Sequence, residues 1–285
     1  MRGLLTVAAY GLQEALRRRI FHVVLLLTLL YLGLYWLGAT TAFDEVRKSQ
    51  GTLPLDDEEL TGGTLFGLSM FGTLFLGAVL AAFLTLGVVR GDAERGLLQP
   101  LVVRPIGRTT LLLGRFLGAA AICVPYVLAV YAICAAITHS ASFSGWWPDQ
   151  FLRPGLQLAL GVLVIAVLAL LGSIFLSATA NGIAIFMVFG AGLVAGLLGQ
   201  IGEALNSPTL ESVATRSSWA LPFEALYQDA LHRITSESSG LTSLAIQLGP
   251  FGGSQEAGGK FPLWVGAYFA LALLAAVAAF RRKDL

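Results

Sequence analysis

Residues 90–118 read RGDAERGLLQPLVVRPIGRTTLLLGRFLG and lie between two long apolar runs. The stretch holds five arginines (Arg90, Arg95, Arg104, Arg108 and Arg115), and no other interior loop is as basic or as dense in glycine, proline and capping residues. Gly91-Asp92-Ala93-Glu94 supplies a polar cap and two acids for the first turn of a helix, where the helix dipole favours negative charge. Leu97, Leu98, Leu101 and Val102 then fall on one face. Pro100 bends or ends that helix, Pro105-Ile106-Gly107 is a turn, and Thr109 is placed to cap the next helix. The pattern predicts a short helix lying along a membrane surface, either a docking element for a partner or a segment that only closes the loop.

Outward from this loop the chain is membrane-like throughout. Of its 285 residues 56% are hydrophobic and 12% charged, whereas soluble domains carry about 25% charged residues. Six stretches, near 20–42, 64–89, 111–137, 155–177, 181–201 and 262–280, reach the roughly 20 apolar residues needed to cross a bilayer. Residues 177–182, SATANG, allow a tight reversal between the fourth and fifth. The predicted fold class is all-α, an integral membrane protein whose domain 20–285 follows an N-terminal helix at 1–19. Cys123 and Cys134 share one predicted span, about 16 Å apart at the helical rise, too far to bridge.

Charge distribution orients the spans. The N-terminal segment (Arg2, Arg17, Arg18, Arg19), the 90–115 loop and the tail (Arg281, Arg282, Lys283) hold twelve of the eighteen basic residues. The alternate loops hold most of the acids, including 56–59, DDEE. Both termini and the loop 90–110 are therefore expected in the cytoplasm, with a bacterial inner membrane as the location. Within 1–19, Leu5, Ala8, Leu12, Ala15 and Leu16 recur at helical spacing, which predicts an amphipathic helix in the interface, against membrane lipids. The largest outer loop, 202–261, contains a predicted short helix starting near Pro222, with Phe223, Leu226, Tyr227 and Leu231 on one face. The Ser- and Gly-rich 235–260 reads as loop, with only a marginal helix at 240–248.

No catalytic or metal motif emerges. Gly258-Gly259-Lys260 fails as a phosphate loop, because Ser254 stands where the first glycine is required and Phe261 where Ser or Thr is. His22, His139 and His232 lie in three separate segments, without metal-ligand spacing. The predicted spans carry no charge at mid-depth, where ion-coupled carriers keep theirs. Nothing points to nucleic acid. A transporter of this kind draws its energy from a partner.

Glu94-Arg95-Gly96, Leu97-Leu98, Pro105-Ile106-Gly107-Arg108 and Gly114-Arg115-Phe116-Leu117-Gly118 together resemble the hallmark of the ABC-type exporter permeases with six spans per subunit. That family carries an acidic-basic-glycine segment after the second span, then leucines, Pro-x-x-Arg, and a basic, glycine-containing start to the third span. Leu97 departs from it, standing where Thr is common. The resemblance extends through the amphipathic N-terminus, the outer segment 221–233 (LPFEALYQDALHR) and the ending FRRKDL, though only 90–118 is specific. It looks closest to the branch containing the copper-processing permeases of nitrous oxide reductase maturation. The resemblance implies a non-catalytic homodimer that binds two copies of a separate ATPase and no cofactor of its own, with ATP and Mg held by the partner. Asp92, Glu94, Arg95, Leu97 and Leu98 would contact the ATPase. Arg104 and Arg108 would anchor the loop at the headgroups, beside Arg17, Arg18, Arg19 and Arg115.

Gly114, Gly118, Gly192, Gly196 and Gly199 mark close helix approaches, either within the subunit or at a dimer seam. The pathway is expected to be mostly apolar and suited to an amphipathic or lipid-like substrate. A second function class stays open: a membrane scaffold or maturation factor whose 202–261 loop holds an envelope client protein.

Overall fold

The computed structural model describes residues 2–17, 19–49, 57–85, 107–234 and 258–282. Among them the regular structure is entirely helical. An N-terminal helix, α1 (Arg2–Arg17), precedes α2 (Arg19–Ser49), α3 (Asp57–Thr85), α4 (Arg108–Ala141), α5 (Leu152–Phe175) and α6 (Ala178–Ala204). Two short helices follow, α7 (Pro208–Ala220) and α8 (Pro222–Ile234), and then α9 (Phe261–Arg282). Six of these, α2 to α6 and α9, are long and apolar enough to cross a membrane. A helix satisfies every backbone group within its own segment, which the hydrocarbon interior demands.

The helices outrun the apolar windows that announce them. α2 continues through Asp44, Glu45, Arg47 and Lys48 to Ser49, and α3 begins at Asp57 rather than near 64. Charges end an apolar window without ending a helix. Asp57, Glu58 and Glu59 occupy the first turn of α3, where the dipole favours them. The loop helix expected within 90–106, and the marginal one at 240–248, lie outside the described residues.

α3 and α5 form the centre. Most of their apolar windows is buried inside the protein, 72% and 67%, against 17% for α2 and α9, which face outward. The middle of the bundle is closed by absent side chains. A methyl group on Gly77 of α3 would sit 2.7 Å from Val162 Cγ2 of α5 and 2.8 Å from Val127 Cγ2 of α4. Neutral polar groups tie α2 to its neighbours. The Thr28 and Tyr126 hydroxyls meet at 2.5 Å, those of Tyr35 and Thr138 at 2.6 Å, and Tyr31 donates to the Ser69 carbonyl at 3.1 Å. Such bonds between spans contribute roughly 0.6–2 kcal/mol each.

Sequence also sets the turn after α6. Asn206 takes a positive φ of 48°, and the Ser207 amide donates to the Gly202 carbonyl at 2.8 Å. That is the Schellman arrangement, with asparagine in the left-handed position. Pro208 then opens α7 at a site where its missing N–H costs nothing. Helix α7, absent from the reading of the sequence alone, has no buried residue. Helix α8 is the opposite, with Phe223, Leu226, Tyr227 and Leu231 buried, together with Glu224 and Asp229 on its other sides. Instead of lying over the spans it is wedged among α3, α5 and α6.

Gly77→Leu is expected to destabilise the protein by about 1–3 kcal/mol through overpacking, read as a lower midpoint of thermal unfolding in detergent. Gly33→Leu, where an added Cβ meets nothing within 4 Å, should leave the midpoint unchanged.

Candidate functional site

Two regions concentrate groups that could do work, one at the end where α1 begins and α9 finishes, called inner only after the charge distribution of the sequence, and one at the opposite end, called outer. At the inner end α1 is docked on the start of α4 by shape. A methyl group on Gly114 would sit 2.6 Å from Val7 Cγ1, and one on Gly118 would sit 3.0 Å from the Ala8 carbonyl oxygen. Gly11 faces the same contact from α1, its Cβ position 3.9 Å from the Cα atoms of Arg115 and Gly118. Arg115 Nη1 then donates to Glu14 Oε2 at 2.9 Å. The pair is partly exposed, so it contributes at most about 1 kcal/mol; its value is in fixing the register of the two helices.

Of the arginines singled out in the sequence, Arg17 and Arg19 are exposed and Arg108 is the first residue of α4. Arg18 and Arg104 lie outside the described residues, as do Asp92, Glu94, Arg95, Leu97 and Leu98. The structure thus brings together Gly114, Gly118 and Arg115, and adds Val7, Gly11 and Glu14 from α1.

At the outer end, α6, α7, α8 and the start of α9 line an open cavity of about 970 Å³. The other glycines singled out in the sequence form its α6 wall. The position of a Cβ on Gly192 lies 2.5 Å from Phe223 Cζ, on Gly196 2.5 Å from Glu224 Oε1, and on Gly199 3.2 Å from Ala214 Cβ. Behind that wall Phe189 and Phe223 stack with their rings 5.7 Å apart. The Trp264 indole N–H donates to the carbonyl of Trp219, a lining residue, at 3.0 Å, and the two rings lie 5.5 Å apart.

Two acids of α8 meet different fates. The Asp229 carboxylate accepts from Arg233 Nε at 2.8 Å and Nη2 at 3.3 Å, and from the Gln157 amide of α5. Glu224 is 4% exposed and among the described residues receives the Gln228 amide, on Oε1 at 3.3 Å. Its Oε2 has no hydrogen-bond partner among the described residues. Burial pushes the Glu224 carboxyl up from its usual 4.5 to about 7, against the smaller opposing effect of Gln228. The neighbouring Tyr227 hydroxyl is raised as well, by burial and then by the charge of Glu224.

A model of the ABC-2 family transporter proteins matches residues 5–285. The chain belongs to the ABC-2 transporter family. With its six apolar helices this makes it a multi-pass inner-membrane protein. It is 33% identical over 114 residues to the probable ABC transporter permease protein NosY of Pseudomonas aeruginosa, a match covering 40% of this chain and 37% of the relative. To the protein of the same name from Stutzerimonas stutzeri it is 30% identical over 140 residues, covering 49% and 46%. The chain thus spans less than half the length of either relative.

For this ABC-2 chain, Glu224 and Asp229 are the residues that pattern reading passed over. Glu224 sits in the first turn of α8, where an acid is an ordinary dipole partner. The available signal was Gln157, a lone amide in an apolar span, for which Asp229 is the buried partner.

Glu224 gives the protein a pH signature. Between pH 4.5 and 7 the folded chain keeps a proton that the unfolded chain has released, so folding stability falls as pH rises through that window. The full loss is about 3 kcal/mol, complete above pH 7. Thermal unfolding at pH 5 and at pH 8 should show it, and Glu224→Gln should remove that part of the slope. Asp229→Ala, which removes the acceptor shared by Arg233 and Gln157, should cost about 2–4 kcal/mol at either pH.

Proposed function

We propose that this chain is the permease subunit of an ATP-binding-cassette transporter. It works as a homodimer with two copies of a separate ATPase, which holds ATP and Mg. The substrate is an amphipathic or lipid-like molecule moved out of the cytoplasm. The observation that carries the reading is the family match along residues 5–285, in a chain of six apolar helices. The relatives bearing the permease name support it over the stretches they share.

The inner end suggests how force enters. Helix α1 and the start of α4 are one body, joined at Gly11, Gly114 and Gly118 and pinned by Glu14 and Arg115. The basic segment 90–106 leads directly into α4. An ATPase closing beneath it would move α1 and α4 together, and α4 packs on α2, α3 and α5. A nucleotide-biased rigid-body tilt of the spans follows from such a linkage. Asp92, Glu94 and Arg95 are the polar contacts we assign to the ATPase, with Leu97 and Leu98 as the apolar ones.

Native mass determination after gentle purification should find two permease copies with two copies of a nucleotide-binding protein. An envelope protein retained in place of an ATPase would favour the scaffold reading instead. In the reconstituted complex, Glu94→Ala should lower substrate-stimulated ATP turnover roughly tenfold, about 1.4 kcal/mol of lost coupling, with unfolding unchanged. Normal coupling in that variant would remove 90–106 from the mechanism.

A further inference from the structure

The outer cavity contains a charge site with one half missing. Asp229 and Glu224 lie on the same short helix and are both buried, yet of the two only Asp229 has a cationic partner among the described residues. No cationic side chain among the described residues pairs with Glu224. Lys260 stands exposed at the cavity rim. A buried carboxyl with an open oxygen is destabilising, so a residue with no task here would be better replaced by an apolar one. Glu224 lines the cavity together with Gly192, Gly196 and Gly199, and Gly196 lies against its carboxyl, with a Cβ position 2.5 Å from Oε1. The aromatic rings of Trp219 and Phe261 and the hydroxyl of Thr215 line the same space.

These features narrow the ligand. Among the described residues no group of three or more His, Cys, Asp or Glu side chains could hold a metal, and divalent cations need several oxygen ligands at once. A protonated amine pairs with one carboxylate and gains from further acceptors and a π face, and Glu224, Thr215 and Trp219 all line the cavity. The cavity, at about 970 Å³, falls in the size range of small-molecule sites. We infer that the outer cavity binds a primary ammonium group carried on an apolar body, with the Glu224 carboxylate as its counter-ion. The amine comes either from a free molecule or from a lipid headgroup.

The ionic state of the site fits that occupant. With its carboxyl held near pH 7 by burial, Glu224 releases its proton to solvent as the ammonium arrives, so binding is an exchange of one cation for another. Around it stand Gln228 and Tyr227 on its own helix, Glu211 on α7, Lys260 ahead of α9, and Gly196 on α6. The inference concerns binding alone and does not rest on ATP use.

The test uses the full-length protein, with whatever subunits accompany it, in nanodiscs of phosphatidylglycerol, which carries no amine. Calorimetry with 2-phenylethylamine should show saturable binding, with heats that depend on the buffer's ionisation enthalpy. The neutral isostere 2-phenylethanol should bind at least roughly tenfold more weakly, and Glu224→Gln should lose a similar factor for the amine. Repeating the titration in nanodiscs containing phosphatidylethanolamine separates the sources. Loss of binding there assigns the site to a lipid headgroup, and retained binding assigns it to a free amine. In the unmodified protein, N,N′-dicyclohexylcarbodiimide should label Glu224, read by mass spectrometry, and 2-phenylethylamine should protect it. Unchanged amine affinity in Glu224→Gln, equal binding of the alcohol, or labelling that the amine does not slow would each overturn the inference.

Discussion

A bilayer's hydrocarbon removes the ordinary reason for helices to associate. Lipid tails are as apolar as leucine, so burying a leucine between two spans gains little, and the helices meet through shape and a few polar contacts. The packing of this protein follows from that constraint. Close approaches fall at Gly72, Gly77, Gly114, Gly118, Gly192 and Gly196 among others, where a missing side chain lets a neighbouring helix in. Between them run hydroxyl pairs that no water competes for, Thr28 with Tyr126 and Tyr35 with Thr138.

The same constraint separates what can be read from the sequence and what cannot. The spans are legible because a bilayer crossing needs about 20 apolar residues in a row, and six such stretches stand out without any structure. Their partners are not legible. A Gly-x-x-x-Gly pair announces a surface that something can approach, without naming the helix that does. Gly114 and Gly118 receive the N-terminal helix, while Gly192 and Gly196 receive α8. The polar network on α2 escaped for a different reason: a search for charges in the membrane passes over neutral Thr and Tyr. Helix α7, PTLESVATRSSWA, has no apolar stripe and buries nothing, so hydrophobic periodicity had nothing to detect.

Helix α8 shows best how burial and polarity trade. It is amphipathic in composition, and an amphipathic helix in an outer loop is expected to lie on the surface. Here its polar side is buried too, with Asp229 satisfied by Arg233 and Gln157 and Glu224 set against the glycine face of α6. The two acids face the membrane part, Asp229 toward α5 and Glu224 toward α6, so α8 is not part of a separable domain. A change at the outer cavity is mechanically connected to α3, α5 and α6, and through α5 and α3 to the α4 that carries α1.

The position of α8 in the chain also bears on how the protein is made. The helices it wedges among, α3, α5 and α6, all precede it in synthesis. The elements that cover it come last: Phe261 and Val265 of α9 close over Leu226 and Val164. Assembly can therefore proceed in the order the ribosome delivers the parts, with α8 seated in a finished socket and the final span acting as the door behind it.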